Sequence, residues 1–215
     1  SFYFFMKKLF VCILTIMTLV TSCVRHQINT AEFNPVITEQ LNYHLYDSSY
    51  VGINNMPIGG GDFAHHRLVP DLVRTMNSGV AFEIRHPEAT RPWQHVLDCL
   101  NGYLMLVDAV IQNKADGAWN FGADENQSKT VADVANIAGA VWGVEKNWEN
   151  DLGNHPHEAS MLMLNSNKAR AKLDWSDKLT FEESVKWTIN WYKNVNAGSD
   201  PLEETLKNIR EFESK

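Results

Sequence analysis

Apolar residues recur at helical spacing along most of the chain after Ile58, and the breaks between those stripes define the elements. Leu68, Leu72, Val73 and Met76 predict a helix over Arg67–Ser78, stopped by Gly79. Val96, Leu97, Leu100, Leu104, Val107 and Ile111 predict a long helix over Trp93–Asn113. A third helix is expected over Thr130–Trp142, with Thr130 or Ser128 as its cap, and a short one over Asn167–Leu173 behind Asn165 or Ser166. Thr180-Phe181-Glu182-Glu183 has the spacing of a capping box, and the helix behind it carries Val185, Ile189 and Tyr192 on one face to Asn196. Pro201 belongs in the first turn of a last helix that runs to about Phe212. Short strands are expected at Val80–Arg85, Gly117–Gly122 and Met161–Leu164, and a further strand ends at Ile58 in the turn Gly59-Gly60-Gly61.

The chain before Ile58 has a different texture. Ser1–Phe5 precede Met6, and Met6-Lys7-Lys8 followed by the apolar run Leu9–Val20 has the layout of a charged n-region and an h-region. That run is shorter than the ~20 residues a membrane-spanning helix needs. Its end, Leu19-Val20-Thr21-Ser22-Cys23, resembles the lipobox of bacterial lipoprotein signals, which implies a membrane anchor through Cys23 and a membrane-anchored or periplasmic location. The plainer alternative is an apolar segment that happens to end in Ser-Cys. Residues 24–57 are polar, mixed and weakly periodic, and read as an unassigned linker between a signal-like segment, 1–23, and a folded lobe, 58–215.

Composition narrows the chemistry. With 44% hydrophobic and 21% charged residues in 215, the chain suits one globular core, and its formal charge of -7 argues against a nucleic-acid surface. Cys12, Cys23 and Cys99 have neither the number nor the spacing of a disulfide framework or a zinc site. His65-His66 and His155-Pro156-His157 lack acidic or cysteine partners at ligand spacing, so a metal centre is disfavoured. What remains is local: a glycine turn before a helix that starts near Arg67, and Arg91 beside Pro92 and Trp93 at the mouth of another. Backbone amides, a helix start and guanidinium charge are the equipment for holding a phosphate-bearing ligand.

Several runs occur in an order that resembles the C-terminal half of CDP-glucose 4,6-dehydratase, an extended short-chain dehydrogenase/reductase of the NAD-dependent epimerase/dehydratase family. They are Ile58-Gly-Gly-Gly-Asp-Phe, Arg67-Leu-Val-Pro-Asp, Arg91-Pro-Trp-Gln-His-Val-Leu-Asp, Trp119-Asn-Phe-Gly, His157-Glu-Ala, Lys168-Ala-Arg and Trp191-Tyr192. The resemblance implies an α/β fold, the substrate-binding lobe of such an enzyme with the Rossmann core largely missing. It also implies a reaction: CDP-glucose becomes CDP-4-keto-6-deoxyglucose, for deoxysugars of surface polysaccharide, through NAD that is tightly held in the family. The alternative is a non-catalytic nucleotide-sugar-binding remnant.

The resembling stretch carries neither a Gly-x-x-Gly-x-x-Gly turn after a strand nor a Tyr-x-x-x-Lys pair, so this chain alone is not expected to hold NAD, and no catalytic residue is assigned. Family members lead into the glycine turn with Arg-Ala-Gly-Asn-Val, where this chain has Ile53-Asn54-Asn55-Met56-Pro57. By the resemblance, Arg91 contacts the pyrophosphate, Asn120 lies near the same phosphates, Arg67 and Leu68 stand at the helix entrance, Phe82 and Ile84 flank the base, and His157 is near the nucleotide. Each has a plainer alternative: an ion pair for Arg91, a strand-end turn for Asn120, core packing for Phe82 and Ile84. Arg74 reads as a solvated charge, and Asp98 as a cap or a partner in the neighbourhood of Arg91. The family is cytoplasmic. Apolar faces left open without a Rossmann core would favour homo-oligomers.

Overall fold

The computed structural model describes residues 56–59, 61–124, 129–153, 161 and 163–215, all within the unit Ser48–Lys215. The Cys23 segment and His157 lie outside them. Among the described residues the order is β1 (Met56–Ile58), α1 (Leu68–Ser78), β2 (Phe82–Ile84), β3 (Thr90–Arg91), β4 (Trp93–His95), α2 (Val96–Ile111), β5 (Lys129–Thr130), α3 (Val131–Trp142), β6 (Trp148–Asn150), α4 (Asn167–Leu173), α5 (Phe181–Asn196) and α6 (Pro201–Glu213). The strands form three separate pairs: β1 with β4 and β2 with β6 in parallel, β3 with β5 antiparallel. In β1, Pro57 faces Gln94. A two-stranded pair leaves each strand one edge that needs no donor, which is where proline is tolerated.

The helices start and stop where local chemistry directs. Thr130 accepts from Asp133 N–H while the Asp133 carboxylate accepts from Thr130 N–H, and Thr180 and Glu183 repeat the exchange at α5. Asp200 caps α6 behind Pro201, and Gly79 ends α1 in the left-handed region at φ 70°. The main core lies between α1, α3 and α5: Leu72, Val73 and Met76 meet Val134, Ala135 and Ala138, with Val185, Ile189 and Tyr192 across from them. Alanines on α3 let its axis approach α5 closely. A second cluster joins Phe121, Ala169 and Trp175, with Met105, Leu106, Trp119 and Leu173 around them.

Four expectations are corrected. Trp93-Gln94-His95 is strand rather than helix, because it pairs with β1, and α2 begins only after His95, whose Nδ1 accepts from Leu97 N–H at 3.2 Å. Gly117–Gly122 is irregular and joins no ladder; side chains satisfy its backbone groups instead. Met161 makes one bridge, to Thr90, and residues 163–164 form no strand. The strand expected at Val80–Arg85 contracts to β2, and its partner β6 was not anticipated.

Gly102 on α2 is where the second cluster closes, because a Cβ there would fall on the Phe121 ring. Gly102→Ala gains about 1 kcal/mol of helix propensity but meets an overpacking cost of about 1–3 kcal/mol. The urea midpoint is therefore expected to fall; a rise would mean that Phe121 yields without cost.

Candidate functional site

Residues 90–98 bring buried polar groups together. Arg91 is only 5% exposed, and its Nη1 donates to Thr90 O at 2.8 Å. Its partner across the ladder is Lys129, and directly opposed residues of an antiparallel pair share a face, Arg91 buried and Lys129 exposed. Trp93 fixes that geometry from beneath, donating its indole N–H to Lys129 O at 2.9 Å. The loop before β3 is tied to α3: Val131 N–H and Ala132 N–H, at the helix start, donate to Ala89 O and Pro87 O.

Gln94 and Asp98 extend the network away from β3. Gln94 donates to Asp177 Oδ1 at 2.6 Å, and Arg170 donates to Asp177 Oδ2 at 2.8 Å. Arg170 also donates to Gly122 O at 3.2 Å, and Ser166 Oγ both accepts from Gly122 N–H and donates to Gly122 O. Lys168 holds the other end of the same segment, donating to Asp116 O and Ala118 O with its ammonium 4.1 Å from the Trp119 ring centroid. Asn120, exposed between these clamps, donates to Asn165 O at 3.3 Å. Asp98 is fully enclosed; its carboxylate accepts from Lys178 N–H at 2.7 Å and Leu179 N–H at 3.4 Å, and its backbone carbonyl accepts from Trp175 Nε1. Asp98 thus holds the loop before α5, a role the sequence did not disclose.

The glycine turn after β1 is filled by aromatic side chains. A Cβ on Gly59, at φ 104°, would meet His95 Nε2 at 2.8 Å, and one on Gly61, at φ 74°, would meet the Trp191 ring at 2.6 Å. His95 Nε2 is buried without a hydrogen-bond partner. Tyr192 donates its hydroxyl to Asp62 O, and burial pushes that phenol above its usual range. Arg67 caps α1 with its backbone and pairs with Asp62 at 3.3 Å, its own side chain 60% exposed. Arg74 is not a free surface charge: it donates to Phe63 O and Ala64 O and pairs with Asp71, anchoring the turn.

Of the residues singled out by sequence, Arg91 and Asn120 lie near the two ends of the Gln94–Asp177–Arg170–Gly122 path in the chain, three residues before Gln94 and two before Gly122, whereas Arg67 stands at the β1–α1 turn. Leu68 and Phe82 pack on the main core, and Ile84 lies within it. A crevice of about 380 Å³ opens where β2 and β6 end in parallel, lined by Arg85, His86, Pro87, Glu88, Ala89, Asn150 and Asp151. Asp177 went unnoticed in the sequence; Gln94 and Arg170 were seen only as members of the runs Arg91–Asp98 and Lys168-Ala169-Arg170, and Ser166 only as a helix cap. The sequence does contain one Tyr-x-x-x-Lys spacing, Tyr3 to Lys7, upstream of the family-like motifs and outside the described residues. Among the described residues no helix is long and apolar enough to cross a membrane.

No family model matches the chain. In sequence it is similar to CDP-glucose 4,6-dehydratase of Salmonella typhimurium, 35% identical over 184 residues, which span 85% of this chain and 50% of that protein. The chain thus spans about half the length of its curated relative. The match takes in more than the stretch from Ile58 onward, so the similarity reaches back before Ile58, which marks where the motifs become dense rather than where likeness begins. Among solved structures it is similar to UDP-glucose-4-epimerase from Stenotrophomonas maltophila with bound NAD, at TM-score 0.58 and 15% identity over 83% of this chain and 60% of that one. UDP-glucuronic acid 4-epimerase from Bacillus cereus gives TM-score 0.55 at 16% identity, covering 65% of this chain and 43% of that one. The fold matches the C-terminal, mixed α/β portion of extended short-chain dehydrogenase/reductase epimerases and dehydratases.

His95 and Asp98 shift in opposite senses. Burial lowers His95 to about 4 from 6.5. Burial raises Asp98 to about 6 from 3.8, with the Asp177 charge adding to it and the Lys178 N–H opposing it. Between pH 6 and 4 the unfolded chain protonates His95 and the folded one does not, which costs stability as pH falls. Over the same window the folded chain protonates Asp98 first, which adds stability as pH falls. The two contributions are expected to cancel in the parent protein. In His95→Asn, which keeps a capping acceptor, acidification from 6.5 to 4 is expected to stabilise, and in Asp98→Asn to destabilise, each by up to about 3 kcal/mol. Chemical denaturation across pH checks both; the same slope in the two variants would contradict the assignment.

Proposed function

We propose that the chain binds a nucleotide sugar, CDP-glucose or a close relative, by its diphosphate. On this reading it provides the substrate side of a CDP-glucose 4,6-dehydratase-like conversion to CDP-4-keto-6-deoxyglucose. The observation that carries the proposal is Arg91: a buried guanidinium, opposite Lys129, inside a stretch similar in sequence to CDP-glucose 4,6-dehydratase. A planar guanidinium bonds a phosphate with two parallel N–H donors, and a second cation on the same face favours a dianionic diphosphate over a single negative charge. Arg67, beside the positive end of α1, adds charge near the glycine turn. Asn120 supplies an uncharged amide. The crevice past β2 and β6, which begins just after Phe82 and Ile84 in the chain, suits the nucleoside end.

The described residues do not fit a dinucleotide. The one glycine turn between a parallel strand and a helix is occupied by His95 and Trp191, and α1 starts well beyond it. NAD is bound in several of the similar structures. The work assigned to this chain is to hold the diphosphate, orient the sugar and exclude water around Arg91.

Calorimetric titration of the 215-residue chain with CDP tests the reading. Binding is expected below millimolar concentration. Arg91→Ala should weaken it by about 10-fold or more, and Arg91→Lys should fall between, since an ammonium keeps the charge and loses the bidentate geometry. No heat at millimolar CDP would sink the proposal. Adding NAD and CDP-glucose separates its two forms: a 4-keto product marks the dehydratase, and binding without product marks the binding-only remnant.

A further inference from the structure

The sequence places Arg91 and Asn120 on segments that no strand ladder joins. Asn120 belongs to the irregular stretch after α2, and Arg91 to β3. One carboxylate ties together the runs that carry them. Asp177, 5% exposed at its side chain, accepts from Gln94 of β4 on Oδ1 at 2.6 Å and from Arg170 of α4 on Oδ2 at 2.8 Å. Gln94 itself is 2% exposed, three residues beyond Arg91 on the same buried run. Arg170 lies 4.9 Å from the Trp175 ring centroid, and it reaches Gly122 O, two residues beyond Asn120. Ser166 bonds both the N–H and the carbonyl of Gly122, so that peptide cannot shift without breaking the contacts to α4.

We infer that Asp177 is a positioning residue for the diphosphate site: by holding Gln94 with one oxygen and Arg170 with the other, it sets Asn120 in register with Arg91. The inference rests on the proposed nucleotide-sugar reading and deepens it. The two bonds to Asp177 are 2.6 and 2.8 Å and its carboxylate is buried, and a charged pair of this kind is directional, since Arg170 also reaches Gly122 O. Loss of the carboxylate releases Arg170 from β4 and lets the Asn120 stretch move against Arg91. A residue that only stabilised the fold would weaken all ligand contacts alike. Asp177 instead acts through Asn120.

The test is a double-mutant cycle on CDP affinity in the full chain. Asp177→Ala and Asn120→Ala are each expected to weaken binding by about 5- to 10-fold, and the double variant by no more than the worse of the two. Arg67→Ala combined with Asp177→Ala is expected to be additive, since Arg67 lies off this path. Asp177→Asn, which keeps an acceptor for Gln94 and loses the charge that holds Arg170, guards against a fold that fails with alanine; it should show the same non-additivity with Asn120→Ala. Additive losses for Asp177 and Asn120, or unchanged affinity in Asp177→Asn, overturn the inference while the nucleotide reading stands. Absence of CDP binding by the parent chain overturns both.

Discussion

Residues 90–98 carry the constraint on which the rest of this structure depends. Within one short run the backbone pairs with β5, turns, pairs with β1 and enters α2, while Arg91, Gln94, His95 and Asp98 are all taken out of solvent. Buried polar groups must find partners, and an unmade hydrogen bond there costs about 1–3 kcal/mol. Each partner therefore dictates where a distant segment lies. Gln94 draws in Asp177, and Asp98 draws in the amides of Lys178 and Leu179 and, through its carbonyl, the indole of Trp175. The loop between α4 and α5 is held by these bonds together with the burial of Trp175 in the second cluster. His95 is the exception: it caps α2 with Nδ1 and leaves Nε2 against Gly59, where no side chain other than hydrogen fits.

This explains what was legible in the sequence and what was not. Helix limits were readable because their signals are local: Thr130 with Asp133, Thr180 with Glu183, Pro201 behind Asp200, Gly79 in a left-handed turn. Strands were less so, since β3, β5 and β6 are two or three residues long and exist only by pairing across the fold. Trp93-Gln94-His95 fits a helical stripe, and pairing with β1 overrode it. The stretch Gly117–Gly122 has the bounds of a strand, yet its hydrogen bonds go to Ser166, Lys168 and Arg170, which no period reveals.

The candidate site divides the same way. Arg67 and Arg91 stood out because arginine beside a helix entrance is a recognisable arrangement. Asp177 and Arg74 did not, because each is ordinary in its own neighbourhood and acquires its role from a carbonyl or an amide far away in sequence. Phe82 and Ile84 had two open meanings, and their packing against the main core accounts for their apolar character without a ligand. The fold places the chain beside the C-terminal portions of sugar-nucleotide epimerases and dehydratases, and it spans about half of the relative it matches in sequence. In the described residues the glycine turn after β1 is filled by His95 and Trp191, so the proposed phosphate contact is assigned to Arg91.

The most direct measurement is a CDP titration of the isotopically labelled chain followed by amide chemical shifts. The account, in which the diphosphate binds at Arg91 with Asn120 beside it, predicts that the largest changes fall on residues 90–91, 118–122 and 129–130, the last paired with β3. Shifts confined to other segments, or none at saturating ligand, would contradict it.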